Sequence, residues 1–122
     1  DYRDRNGSWK RRQPVQMQEF VAGESARRRY WARSMRGWPV MAGARPNAAH
    51  RALAAMERAG VVHGLITQNV DGLHARAGSR ELLELHGTLL QARCNACGRR
   101  RDMGEAIAES PEEPPVCACG GR

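Results

Sequence analysis

All four cysteines of this chain lie in its last twenty-nine residues, as Cys94-Asn95-Ala96-Cys97 and Cys117-Ala118-Cys119. Two thiol pairs on tight turns, separated by a short loop, are how four sulfurs reach the corners of a tetrahedron around Zn²⁺. Gly98, Gly120 and Gly121 beside them are expected to supply the positive φ of knuckle turns. The second pair is C-x-C where a zinc ribbon usually has C-x-x-C, so its turn must be tighter. Two disulfides in a secreted protein are the competing reading, weakened because the rest of the chain has no cysteine and is patterned as an ordinary α/β domain. A redox C-x-x-C would need Cys94 at a helix start after a βαβ strand, and no such pattern precedes it. Four thiolates leave a metal no open position for water or substrate, so the expected role of the zinc is structural.

The chain has 122 residues, 41% hydrophobic and 27% charged, which is enough for one small core and speaks against wholesale disorder. No stretch approaches the ~20 apolar residues of a spanning helix, and no membrane partner is expected. With Asp1 in place of an initiator Met and an end inside the second knuckle, it reads as an internal fragment. The net charge of +7 raises nucleic acid as a partner. The excess lies wholly in residues 1–50, with eleven Arg/Lys against four Asp/Glu, whereas residues 51–122 carry nine of each. Heavy Ala, Arg and Gly usage also follows from a GC-rich genome. Aromatic residues are only 5%, too few for stacked single-stranded bases, so nucleic acid is an unfavoured partner.

Residues 1–14 are polar and read as a loop. Pro14 to Met35 is helical in pattern, interrupted near Ala22-Gly23 and broken by Gly37-Trp38-Pro39. Asn47 is a cap for a helix from Ala48 through Ala59, ended by Gly60. Val61, Val62, Leu65 and Ile66 read as a buried parallel strand, holding His63 and delivering Thr67-Gln68-Asn69 at its carboxyl end, where open α/β sheets bind ligands. Asp71 to Ala77 and Ser79 to Leu85 read as two short helical turns, and Leu89-Leu90 as the start of another strand. The expected class is α/β.

Thr67-Gln68-Asn69-Val70-Asp71-Gly72-Leu73-His74, then Glu84-Leu85-His86-Gly87, then paired cysteines closing in Cys-Gly-Gly, resemble the sirtuin family of NAD-dependent protein deacylases. Asp1-Tyr2-Arg3 and Pro46-Asn47-Ala48-Ala49-His50 look like further landmarks of that family, and Tyr30-Trp31-Ala32-Arg33 resembles its class II branch. The resemblance implies a partial Rossmann-like parallel-sheet domain over residues 1–90, with a helical insertion, and a truncated zinc-ribbon module over 91–122. Acyl-lysine protein substrates would enter between them. The family's glycine-rich pyrophosphate loop is absent from the chain, so the fragment alone is expected to be inactive.

By the same likeness, His86 is the general base on a ribose hydroxyl, a role imidazole suits because it titrates near neutrality. Gln68, Asn69, Val70 and Asp71 would line the nicotinamide and ribose pocket of NAD, with Asp1, Tyr2 and Arg3 over it. Taken alone, Q-N-x-D is an ordinary Asx-type turn. Tyr30 and Arg33 lie one helical turn apart, and an arginine fork beside a phenol suits a carboxylate. In sirtuins that remove succinyl or glutaryl groups this pair reads the acyl carboxylate; otherwise Tyr30 packs and Arg33 is solvated. Cys94, Cys97, Cys117 and Cys119 would hold one structural Zn²⁺. His50, His63 and His74 are expected to be structural. The favoured function is NAD-dependent lysine deacylation; the alternatives are ADP-ribosyl transfer from the same site and a zinc-ribbon nucleic-acid-binding module. A monomer is expected, in a bacterial cytoplasm or, alternatively, a mitochondrial matrix.

Overall fold

The computed structural model describes residues 14–121. Helix α1 (Met17–Ala22) stops at Gly23, whose extended backbone (φ −141°, ψ 138°) turns the chain into α2 (Glu24–Gly43). Arg27 reaches back and donates to the carbonyls of Phe20 and Val21 at 3.1 and 3.2 Å, satisfying acceptors that the end of α1 leaves open. The break expected at Gly37-Trp38-Pro39 is not there, because α2 runs through Pro39 to Gly43. Pro39 is exposed, so water can reach the carbonyl it leaves without a donor. Trp38 beside it lies against Gly104, where an added Cβ would sit 3.2 Å from the indole. Packing on one side and hydration on the other hold together a segment that propensity alone would end.

Helix α3 (Ala48–Arg58) begins as expected at Asn47. Its Oδ1 accepts the His50 N–H at 3.1 Å, while the Asn47 N–H donates to His50 Nδ1 at 3.3 Å, a capping box with histidine in place of the usual Glu or Gln. His50 is thereby structural, and its ring lies 4.5 Å from that of His74.

Strand β1 (Leu65–Thr67), helix α4 (Leu73–Ala77) and strand β2 (Leu82–Glu84) form a βαβ unit. The strands pair in parallel, with Leu65 opposite Leu82, Ile66 opposite Leu83 and Thr67 opposite Glu84. β1 is shorter than the apolar run, so Val61, Val62 and His63 precede it. Residues 79–85 are not a helical turn: Leu82–Glu84 is a strand. Leucine favours helix in isolation, but a partner strand supplies the hydrogen bonds, and tertiary pairing overrides propensity. Ile66 and Leu83 remain exposed, so this face has no cover among the described residues.

The entry into β2 is pinned from α3. One Glu57 carboxylate oxygen accepts the N–H groups of Arg80 and Glu81 at 2.9 and 2.8 Å, and the Glu81 carbonyl then accepts the Leu65 N–H at 2.8 Å. These amides, Glu81's first and Arg80's next, hold the Glu57 carboxyl below its ordinary value of 4.5. A depressed folded pKa means the contribution is present above the unfolded value and lost as pH falls through the folded one. Thermal melts should therefore find Glu57→Gln less stable than the parent at pH 7, with the gap narrowing below about pH 4.5. A gap unchanged between pH 7 and pH 3.5 would show that the ionised carboxylate is not what anchors β2.

Strands β3 (Gln91–Arg93) and β4 (Arg100–Asp102) form an antiparallel ribbon, with Arg93 opposite Arg100. The strand expected from Leu89-Leu90 thus starts at Gln91. Helix α5 (Met103–Glu109) follows directly, capped by Asp102, whose Oδ1 accepts the Glu105 N–H at 3.1 Å. Met103 and Ala106 are buried, and with Ala26, Trp31, Ala54 and Cys94 they make up the apolar core of the described residues.

Candidate metal centre and cofactor cleft

The β3–β4 ribbon carries the first cysteine pair at its turn. The four sulfurs all lie within 4.8 Å of one another, with Cys94 to Cys119 and Cys97 to Cys117 both at 3.7 Å. Sulfurs 2.3 Å from a tetrahedral Zn²⁺ stand about 3.8 Å apart, so the cluster has zinc dimensions. The separations are nearly twice a disulfide bond, which sets the disulfide reading aside. The C-x-C turn closes well: Gly120 N–H donates to the Cys117 carbonyl at 2.8 Å, and Cys117 N–H to the Gly121 carbonyl at 2.9 Å.

Gly98 and Gly120 have the expected positive φ, and Gly121 does not. Space is what Gly121 provides: an added Cβ would stand 2.6 Å from Ala96 Cβ and 2.8 Å from Cys94 Sγ. The electrostatics also call for a cation. Backbone N–H groups of Cys97 and Ala96 hold the Cys94 thiol down at about 6, and the Cys119 N–H, with the Cys119 thiol, lowers Cys117. The Gly121 N–H pulls Cys119 down, but the sulfurs of Cys97, Cys117 and Cys94 outweigh it and push Cys119 up to about 11. The local amides thus favour thiolate on Cys94 and Cys117, while the neighbouring sulfurs disfavour it on Cys119. A divalent cation relieves that repulsion, and the residues present fit one structural zinc.

The βαβ unit builds the second feature. Its ladder continues one step past the strands, with the Leu85 N–H donating to the Thr67 carbonyl at 2.9 Å. Gln68-Asn69 and Leu85-His86 therefore leave adjacent strand ends on the same edge, the position where parallel α/β sheets hold ligands. Buried Thr67 organises the first end by accepting the Asn69 N–H at 3.0 Å on its hydroxyl. Asp71 spends one carboxylate oxygen on the Leu73 N–H at 2.9 Å, the Asx turn that starts α4. The Val70 carbonyl accepts the Leu89 N–H at 2.8 Å, stitching the two loops together. Between them Gly72 is buried at φ 67°, and an added Cβ would meet Leu90 Cδ1 at 2.6 Å, so only glycine fits.

His86 is exposed in the turn after β2, followed by Gly87 at φ 71°. It borders an open cleft of about 600 Å³ together with Glu84, Thr88, Gln91, Arg93 and Arg100. The two arginines were not among the residues expected at the site. The signal was the two-residue alternation of a strand, which is invisible until residues 91–93 and 100–102 are known to pair.

Tyr30 and Arg33 are both on α2, and both border a separate, mainly apolar cavity of about 280 Å³ lined also by Trp38, Met41, Leu89 and Met103. Tyr30 packs edge-on against Phe20 and Trp31, with centroids 5.1 and 5.8 Å apart. The structure therefore brings the pair to one pocket while also packing Tyr30. His86 and Leu89, three residues apart, open onto the two cavities in turn. Asp1, Tyr2 and Arg3 lie outside the described residues.

The sequence profile of the Sir2 family matches residues 1–122. An NAD-dependent protein deacetylase of Bordetella pertussis is 55% identical over 104 residues, covering 85% of this chain and 38% of that protein. A solved sirtuin from a study of substrate affinity superposes with a TM-score of 0.83 at 33% identity, covering 99% of this chain and 50% of the other. A Sir2 complex with a p53 peptide and NAD⁺ superposes at 0.80 with 30% identity, covering 90% of this chain and 45% of the other. The chain thus spans well under half of that Bordetella relative and about half of these solved chains. The architecture is the Rossmann-like fold of those structures together with a four-cysteine module. On the profile match and these likenesses together, the chain belongs to the Sir2 family.

Proposed function

We propose that this chain is part of the catalytic core of an NAD-dependent protein lysine deacylase. The observation that carries the reading is the parallel register of β1 and β2, which sets Gln68-Asn69 beside Leu85-His86 at one sheet edge. In this reading the side-chain amides of Gln68 and Asn69, with the remaining Asp71 oxygen, hydrogen-bond the nicotinamide carboxamide and its ribose. The acyl oxygen of the substrate lysine attacks the ribose carbon as nicotinamide leaves. His86 takes the proton from a ribose hydroxyl as that oxygen closes on the acyl carbon, and Gly87 leaves room for the approach. The acyl carbon–nitrogen bond then breaks to release the lysine amine, and one water molecule supplies the oxygen and protons that balance the reaction, so the products are deacylated lysine, nicotinamide and acyl-ADP-ribose. The zinc holds the ribbon together and takes no part in the chemistry.

Acyl preference belongs to the same proposal. An apolar cavity with a phenol and a guanidinium at its wall suits a short dicarboxylic acyl chain such as succinyl or glutaryl. In the intact protein, Arg33→Met should lower the ratio of desuccinylation to deacetylation at least about tenfold, the usual scale for a lost charge-assisted hydrogen bond. An unchanged ratio would rule out the carboxylate role of Arg33.

The deciding experiment is mass spectrometry of acetyl-, succinyl- and glutaryl-lysine peptides incubated with NAD and the intact protein. NAD-dependent loss of an acyl group, with acyl-ADP-ribose as product, is the expected result. ADP-ribosylated protein without deacylation would transfer the assignment to ADP-ribosyl transfer, and no turnover by zinc-loaded protein would overturn the enzyme reading.

A further inference from the structure

The β3–β4 ribbon does more than carry the metal. Arg93 and Arg100 are cross-strand partners, and both are exposed. Like charges placed directly opposite destabilise a ribbon, so nothing in the local fold favours this pairing. Neither forms an ion pair or side-chain hydrogen bond among the described residues, whereas neighbouring Arg101, with alternate side-chain direction, is paired with Glu109. Arg93 and Arg100 both border the cleft that His86 borders; half-buried Glu84 is the carboxylate in that lining, and Asp102, opposite Gln91 on the same ribbon face, spends its Oδ1 on the cap of α5. Gln91, two residues before Arg93 and so on the same face of the strand, adds a neutral amide to that wall.

From this placement we infer that Arg93 and Arg100 form an anion subsite that selects protein substrates carrying an acidic side chain close to the acylated lysine. The inference rests on the deacylase reading, since it is His86 that ties the cleft to the reacting acyl group. An extended peptide advances about 3.3 Å per residue, with same-face side chains two residues apart. A carboxylate one or two positions from the acyl-lysine is therefore within reach of a cleft of this size. Guanidinium forks bind such carboxylates through paired N–H groups, and two arginines against one Glu84 leave the lining with a net positive charge.

The test uses the intact zinc-loaded protein and three peptides that differ only in the residue two positions from the acyl-lysine: Glu, Gln or Lys. Steady-state kinetics should give a KM about three- to tenfold lower for the Glu peptide than for Gln, highest KM for Lys, and nearly equal kcat, as expected for a solvent-exposed charge contact. The preference should shrink in 0.5 M salt. In the double variant R93Q/R100Q the Glu and Gln peptides should converge within twofold, with bound zinc retained, while Arg36→Gln on α2 leaves the preference intact. Equal KM values in the parent, or a preference that survives the double variant, would overturn the subsite. Fluorescence anisotropy with the same labelled peptides separates the two readings. Tighter binding of the Glu peptide without any turnover would sink the deacylase assignment and leave the anion subsite standing.

Discussion

Cys94→Ser in the intact protein is expected to lose bound zinc and, with it, the ordered ribbon and all deacylation. Cys94 is the buried member of the cluster, its sulfur is 3.7 Å from that of Cys119, and its N–H and carbonyl both hold the first knuckle, to Arg99 and Gly98 at 2.9 Å. Structural zinc contributes about 10–16 kcal/mol of apparent binding free energy in small zinc modules, as much as the whole stability of a typical domain, about 5–15 kcal/mol. The ribbon has two three-residue strands and cannot replace that term by its own pairing. Elemental analysis should find the zinc gone, and near-UV circular dichroism should show lost tertiary packing. A strong chelator should reproduce both effects in the parent protein. A Cys94→Ser protein that keeps one zinc per chain and full activity would show that the fourth sulfur is dispensable.

His86→Ala is expected to behave in the opposite way, keeping the fold and the zinc while losing the reaction. The His86 side chain is exposed and makes no hydrogen bond among the described residues, so its removal leaves no buried group unsatisfied. A general base contributes about 10²- to 10⁴-fold to a rate, and kcat should fall by that amount with NAD and an acylated peptide. Thermal melting and zinc content should match the parent. A loss of less than about tenfold would remove His86 from the proton-transfer role.

The contrast between the two substitutions follows from where the residues sit in the chain. The four-cysteine cluster is legible almost completely from spacing, because each cysteine pair is a local turn and the intervening loop is short. Gly121 is the exception: it answers a need for space set by Ala96 and Cys94, more than twenty residues away in the chain, and not a need for positive φ. The capped helix was legible for the same reason of locality: Asn47 and His50 are one turn apart and bond each other. His86, Gln68 and Asn69 were legible as a family pattern, though their neighbourhood depends on strand pairing across an intervening helix.

Other segments take a state that is decided elsewhere in the chain. Gly37-Trp38-Pro39 carries strong breaker signals, yet α2 continues through it because Trp38 finds a surface on Gly104, some sixty-six residues away. Leu82–Glu84 has helical composition and becomes a strand because β1 offers a parallel edge and Glu57 fixes the amides at its start. The sequence alone therefore determined the four-cysteine cluster, the helix cap and the family, all of which depend on residue identities at fixed short spacings or on a pattern of such spacings. Only the tertiary structure decided which strand lies beside β1, that Tyr30 and Arg33 border one cavity, and that Arg93 and Arg100 face each other at the cleft. Pairing register and cavity lining are free-energy differences between long-range arrangements, and no single stretch of chain encodes them by itself.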